Sequence, residues 1–117
     1  MYKKDILNNI KFVALVANNL IKNPWLLNYE LPPVNIAGKL STIFSQQGKE
    51  DGKYYVRPTI MEDSDNPGNL KHYEDGWERA RDKGWGIEFL TEKEAEDFSK
   101  WLSNFHRLTL KNKNLTI

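Results

Sequence analysis

The segment from Trp85 to Arg107 constrains the fold more than any other part of the chain. Trp85-Gly86-Ile87-Glu88-Phe89-Leu90 is an apolar-rich run of strand length. Thr91 and Glu94 follow at the spacing of a capping box, which satisfies amide donors left open where a helix begins. Ala95, Phe98, Trp101, Leu102 and Phe105 then share one helical face. The pattern predicts a strand over 85–90 and a helix over 92–106, joined by a short turn and resting on a common core.

A second amphipathic helix is expected over 5–22. Ile6, Ile10, Val13, Ala17 and Leu20 form an apolar stripe, widened by Leu7, Ala14 and Ile21, and this stripe is expected to face the core. Asp5 can cap its start, and Pro24 stops it. Trp25 to Val34 reads as a connector, extended at Pro32-Pro33. Ile36, Leu40, Ile43, Phe44 and Gln47 have helical spacing behind Asn35 as a cap, so a helix is predicted over 36–47. The rival is a strand over 39–46, turning through Gly48 to Gly52 into the next strand.

Tyr54, Tyr55, Val56, Thr59 and Ile60 favour a strand over 53–61, with Pro58 marking an edge or a bulge. A polar loop runs from Glu62 to about Tyr73. Residues 77–81 are expected to form a hairpin with 85–90 through Asp82-Lys83-Gly84. A short helix ending before Gly84 is the alternative. The tail from Leu108 reads as a final strand or as frayed chain.

These elements predict an α+β fold: one domain over residues 1–117, with a mainly antiparallel sheet of three to four strands packed against N-terminal and C-terminal helices. A chain of 117 residues can bury roughly two-thirds of its unfolded surface. Its 17 basic and 16 acidic residues leave a net charge of +1, giving no global attraction to nucleic acid or an anionic membrane. It has no Cys, so thiolate metal sites and disulfides are excluded, and a reducing cytoplasm is the expected compartment. Phe12 to Ala17 is too short for a secretory core, and no membrane span is expected.

Asp63-Ser64-Asp65-Asn66-Pro67-Gly68-Asn69-Leu70-Lys71-His72-Tyr73-Glu74 resembles the calcium loop of EF-hand proteins. The resemblance implies Asp63 and Asp65 as the first and third ligands and Glu74 as the bidentate last one. Pro67 stands where a side-chain oxygen is needed, Lys71 brings a positive charge, and the preceding segment reads as strand. The same residue types make an ordinary surface turn, which is the preferred reading. No cofactor is otherwise expected.

His72 and His106 are far apart in sequence. His72 reads as a solvated loop residue, and His106 as a cation suited to the last turn of its helix. Glu74, Asp75, Glu78 and Glu88 could supply carboxylate pairs, but acidic residues are common here. The serines show no nucleophile elbow. Gly38-Lys39 lacks the flanking residues of a nucleotide loop.

Lys71 to Trp85 mixes aromatic and basic residues. If the hairpin forms, Trp77, Arg79 and Arg81 share one strand face. Together with Tyr54 and Tyr55, these are the residue types that anchor protein interfaces. The expected function is therefore that of a small intracellular binding protein without catalysis. Inhibitor, immunity and adaptor proteins, which cover a partner's surface, are the expected types. The same Lys71–Trp85 segment could instead stack single-stranded nucleic acid, and the metal loop is the third reading.

Overall fold

The computed structural model describes residues 3–112, with side chains from 9 to 111. Helix α1 (Lys3–Asn19) leads into a 3-10 turn at Pro24–Glu30. A hairpin of β1 (Val34–Ile36) and β2 (Lys39–Ser41) follows, then β3 (Ser45–Glu50) and β4 (Lys53–Pro58). Next come β5 (Ile60–Glu62) and β6 (Leu70–His72), helix α2 (Gly76–Asp82), β7 (Ile87–Phe89) and α3 (Glu92–Asn112). The expected α+β class, with antiparallel pairing between N-terminal and C-terminal helices, is the observed one.

The central sheet has the order β3-β4-β7, antiparallel throughout. Helix α3 packs across one face of this sheet, and α2 packs on β4. Side chains alternate along a strand, so each face has its own residues. Tyr54 and Val56 of β4, with Ile87 and Phe89 of β7, join the core that contains Phe98 and Leu102 of α3. Phe98 is fully buried and meets Phe12 of α1 edge-on at 5.4 Å. Trp25 is the largest fully buried side chain, and its indole N–H donates to Asn23 Oδ1 at 3.0 Å. Asn23 is itself buried and also accepts the Gly86 amide at 2.7 Å, which ties the connector to the start of β7.

The capping box forms on one side. Thr91 Oγ1 accepts the Glu94 amide at 3.2 Å. The Glu94 carboxylate takes the Thr91 hydroxyl and the Lys11 ammonium, the latter at 3.0 Å. That ion pair and the bond from Trp101 Nε1 to Asn9 Oδ1 fasten α1 to α3.

Several expectations are corrected. Residues 36–47 are not a helix. Ala37 and Gly38, both at positive φ, turn β1 into β2, and Asn35 Oδ1 accepts the Gly38 amide instead of capping a helix. The rival strand reading is closer, because β3 and β4 are joined by Asp51-Gly52, again both at positive φ. Residues 77–81 are not a strand: α2 covers them and ends in a turn at Gly84, and β4 supplies the neighbour that β7 needs.

Pro58 lies on a central strand. It occupies the last position of β4, past the point where pairing with β7 stops at Val56, so its missing N–H costs no ladder bond there. Finally, α1 is turned the other way. Phe12 is buried, with Leu15 and Val16 packed on the core, whereas Ile10 and Val13 are 60% and 48% exposed. The helix ends at Asn19, before the expected stop at Pro24, and in the turn beyond it Leu20 packs on the core as expected while Ile21 is exposed. The aromatic bulk of Phe12 outweighs the more numerous aliphatic residues on the predicted stripe. Asp5 lies inside α1 and does not cap it. The tail expected as a strand or frayed chain from Leu108 instead continues α3 to Asn112; its residues 113–117 and the side chains of Ile6 and Leu7 lie outside the described residues.

Candidate functional site

The sheet face opposite α3 carries a cluster of aromatic and charged side chains. Gly48 pairs with Tyr55, and Tyr55 with Glu88, so these positions lie side by side on the three strands. Arg57 is on the same face two residues beyond Tyr55. Trp77 descends onto it from α2. Its indole rests directly on Gly48, where an added Cβ would come within 2.8 Å of Cη2. Glycine is therefore what lets the helix and sheet close.

Arg57 is the centre of the cluster and was not singled out from sequence. Its guanidinium lies 4.6 Å from the Tyr55 ring centroid and 4.4 Å from that of Trp77. Both aromatic faces attract the cation. It is 6% exposed, so its charge needs partners. Nη1 and Nη2 donate to the two Glu50 oxygens at 3.2 and 3.3 Å, and Nε donates to the Trp85 carbonyl at 3.2 Å. The hydrogen bonds from Arg57 hold the Glu50 carboxyl below the ordinary carboxylate range.

The expected anchors divide around this centre. Tyr55 and Trp77 are half-buried, and exposed Arg81 points its guanidinium to within 3.9 Å of Glu50. Because α2 is a helix, Trp77 and Arg81 share a face at a spacing of four, while Arg79 leaves it. Arg79 donates from Nε to Asp75 Oδ1 at 2.8 Å and stacks at 4.4 Å on Tyr73. That bond lowers the Asp75 pKa and raises the Arg79 pKa. Tyr54 sits on the opposite sheet face, against the core and under Lys49, and does not join the cluster. The structure thus groups Tyr55, Trp77 and Arg81 with Arg57 and leaves Arg79 off this face of α2, with Asp75 and Tyr73.

Charge on this face is balanced. Lys53 pairs with Glu88 at 3.3 Å, Arg57 with Glu50, and Arg81 with both Glu50 and Asp82. Of the carboxylates that could have served acid–base chemistry, Asp75 and Glu88 are each held by a cation. The face offers flat aromatic area with a neutralised rim.

The acidic loop is the turn of the β5–β6 hairpin, between strands and not helices. Asp63 Oδ1 accepts the Asp65 amide at 3.0 Å, and Gly68 donates to Glu62. Glu74 lies beyond β6, and among the described residues no group of three or more His, Asp or Glu side chains is placed to hold a metal.

His106 departs from its expected role. The helix continues past it to Asn112, so it is not in the last turn. It is 1% exposed, and burial pushes its pKa from 6.5 down to about 4. Its Nε2 lies 3.2 Å from the Leu26 carbonyl, which can accept but not donate. Nε2 therefore carries the proton, and Nδ1 accepts the Thr42 hydroxyl at 2.8 Å. This neutral imidazole locks α3 to the connector. Its low basicity and sealed position make it a structural group rather than a general base.

Comparison with protein-family models, with curated proteins and with solved structures finds no match. No helix among the described residues is long and apolar enough to cross a membrane.

Proposed function

We propose that this chain is a non-catalytic binding protein of the cytoplasm that acts by covering a surface of a protein partner, as inhibitor, immunity and adaptor proteins do. The observation that carries this reading is the stack of Tyr55, Arg57 and Trp77, with both rings half-buried. Rings held by a paired guanidinium have already lost most of their side-chain freedom, so docking a partner on them costs little further entropy. Aromatic residues and Arg are the side chains that dominate protein hot spots.

The nucleic-acid alternative is disfavoured by the same geometry. Binding to phosphates draws on unneutralised cations, and in the Lys71–Trp85 segment Arg79 and Arg81 each face a carboxylate, which leaves Lys71 and Lys83 as its cations without an ion pair among the described residues. Cytoplasmic placement rests on the Cys-free composition.

The test is affinity capture from native lysate after nuclease treatment, with wild-type protein and an Arg79→Glu/Arg81→Glu variant in parallel. Both positions are exposed, and circular dichroism and thermal melting of the variant check its fold before capture. The reading expects a protein that survives nuclease and is lost with the variant. Recovery of nucleic acid alone, or equal capture by the variant, overturns it.

A further inference from the structure

A separate cleft of about 490 Å³ opens between α3 and the chain running from β2 towards β3. That volume is within the range of small-molecule sites. Its lining divides by chemistry. Ile43 and Leu110 are buried and Leu40 is half-buried, giving an apolar floor. Lys39, Lys100 and Arg107 stand around it, and no Asp or Glu lines it. Residues 100, 103, 104 and 107 fall on one helical face, so Ser103 and Asn104 lie between the two α3 cations.

Two of these cations have no carboxylate partner among the described residues. Lys39 makes no ion pair, and Arg107 donates only to the Asn104 side chain. Lys100 is paired with Glu96 at 3.0 Å. His106 reaches the cleft wall, but as a neutral ring fully engaged by Thr42 and Leu26 it adds no charge. On a chain with a net charge of +1, whose aromatic face is neutralised pair by pair, this is a local concentration of unmatched positive charge beside apolar surface.

We propose that the cleft binds a small amphiphilic anion: a short apolar body seated on Leu40, Ile43 and Leu110, with one phosphate or carboxylate head held by Lys39 and Arg107. The site differs from a nucleotide loop. Ala37-Gly38, just before Lys39, is spent on the β1–β2 turn and forms no phosphate cradle. Arg107 would supply a fork for the head group, and Lys39 a mobile point charge. This site lies apart from the aromatic face, and its occupancy does not depend on the protein-binding reading.

The test is titration of the ¹⁵N-labelled full chain with octyl phosphate, octanoate, octyl glucoside and inorganic phosphate, each below any micelle concentration. At least one of the two amphiphilic anions is expected to bind about tenfold tighter than both octyl glucoside and inorganic phosphate, the worth of one charge-assisted contact. Amide shifts are expected to concentrate in residues 39–43 and 99–110. Lys39→Gln/Arg107→Gln is expected to weaken the anion by about tenfold or more, and Lys93→Gln, elsewhere on α3, to leave it unchanged. Octyl glucoside binding as tightly as both anions, shifts outside the cleft, or an unaffected double variant would overturn the proposal.

Discussion

His106 gives the sharpest quantitative expectation. The folded ring titrates near about 4, against 6.5 for the ordinary group, because burial penalises the imidazolium. A base with a depressed folded pKa is protonated preferentially in the unfolded chain. Its contribution is therefore fully present above about pH 6.5, erodes as pH falls, and is gone below about pH 4. At 1.36 kcal/mol per pH unit the full loss is about 3 kcal/mol, of which about 2 kcal/mol is lost between about pH 7.5 and 5. Burial of the 1% exposed ring explains the sign, and it outweighs the Leu26 carbonyl, whose bond to Nε2–H favours the charged form. Urea unfolding of wild type and His106→Asn at both pH values measures this. Asn does not titrate but offers both an acceptor and a donor. The variant starts less stable and should lose about 2 kcal/mol less than wild type on acidification. Glu50, Asp75 and Glu94, whose pKa values are lowered by their cationic partners, titrate alike in both proteins. Equal acid losses, or a ring-proton NMR titration of His106 centred at or above about 6, would refute the argument.

Other expectations follow from single contacts. Ala37→Asn should stabilise the protein by up to about 1 kcal/mol in urea unfolding, since Ala37 holds φ 50 at an exposed turn where Asn is better tolerated. Gly48→Ala should cost about 1–3 kcal/mol and alter tryptophan fluorescence, because the new methyl displaces the Trp77 indole from the sheet. Phe98→Ala should cost about 3–5 kcal/mol, as this ring is fully buried between α1, the sheet and Trp101. Thr91→Ala should cost about 1 kcal/mol by freeing the Glu94 amide at the start of α3.

The strand entering a capped helix was legible because its signals are local: the cap, the period and the apolar face all lie within neighbouring turns. The orientation of α1 was not. Its sequence carries two overlapping stripes, and which one faces inward is decided by the pocket that Phe98 and Trp101 offer to Phe12. The false helix over 36–47 arose because Ile36, Leu40 and Ile43 match a helical period by coincidence. The Ala37-Gly38 turn lacked the Asn or Asp that usually announces such a hairpin. For the aromatic face, the residue types around Trp77 were readable but Arg57 was not. The alternation of Lys53, Tyr55 and Arg57 hinted at a shared face, yet the vacancy at Gly48 that admits Trp77 comes from strand pairing and helix docking. The cleft joins residues from 39–43 to residues from 99–110, a juxtaposition with no local signal.

The central claim is that the Tyr55, Arg57 and Trp77 face meets a protein. A photo-crosslinking residue placed at Arg81, at the edge of that face, and separately at Lys93, on exposed α3, tests it most directly in cells. The account predicts a discrete protein adduct from position 81 that is absent from position 93 and persists after nuclease. Adducts to nucleic acid alone, or identical protein adducts from both positions, would contradict it.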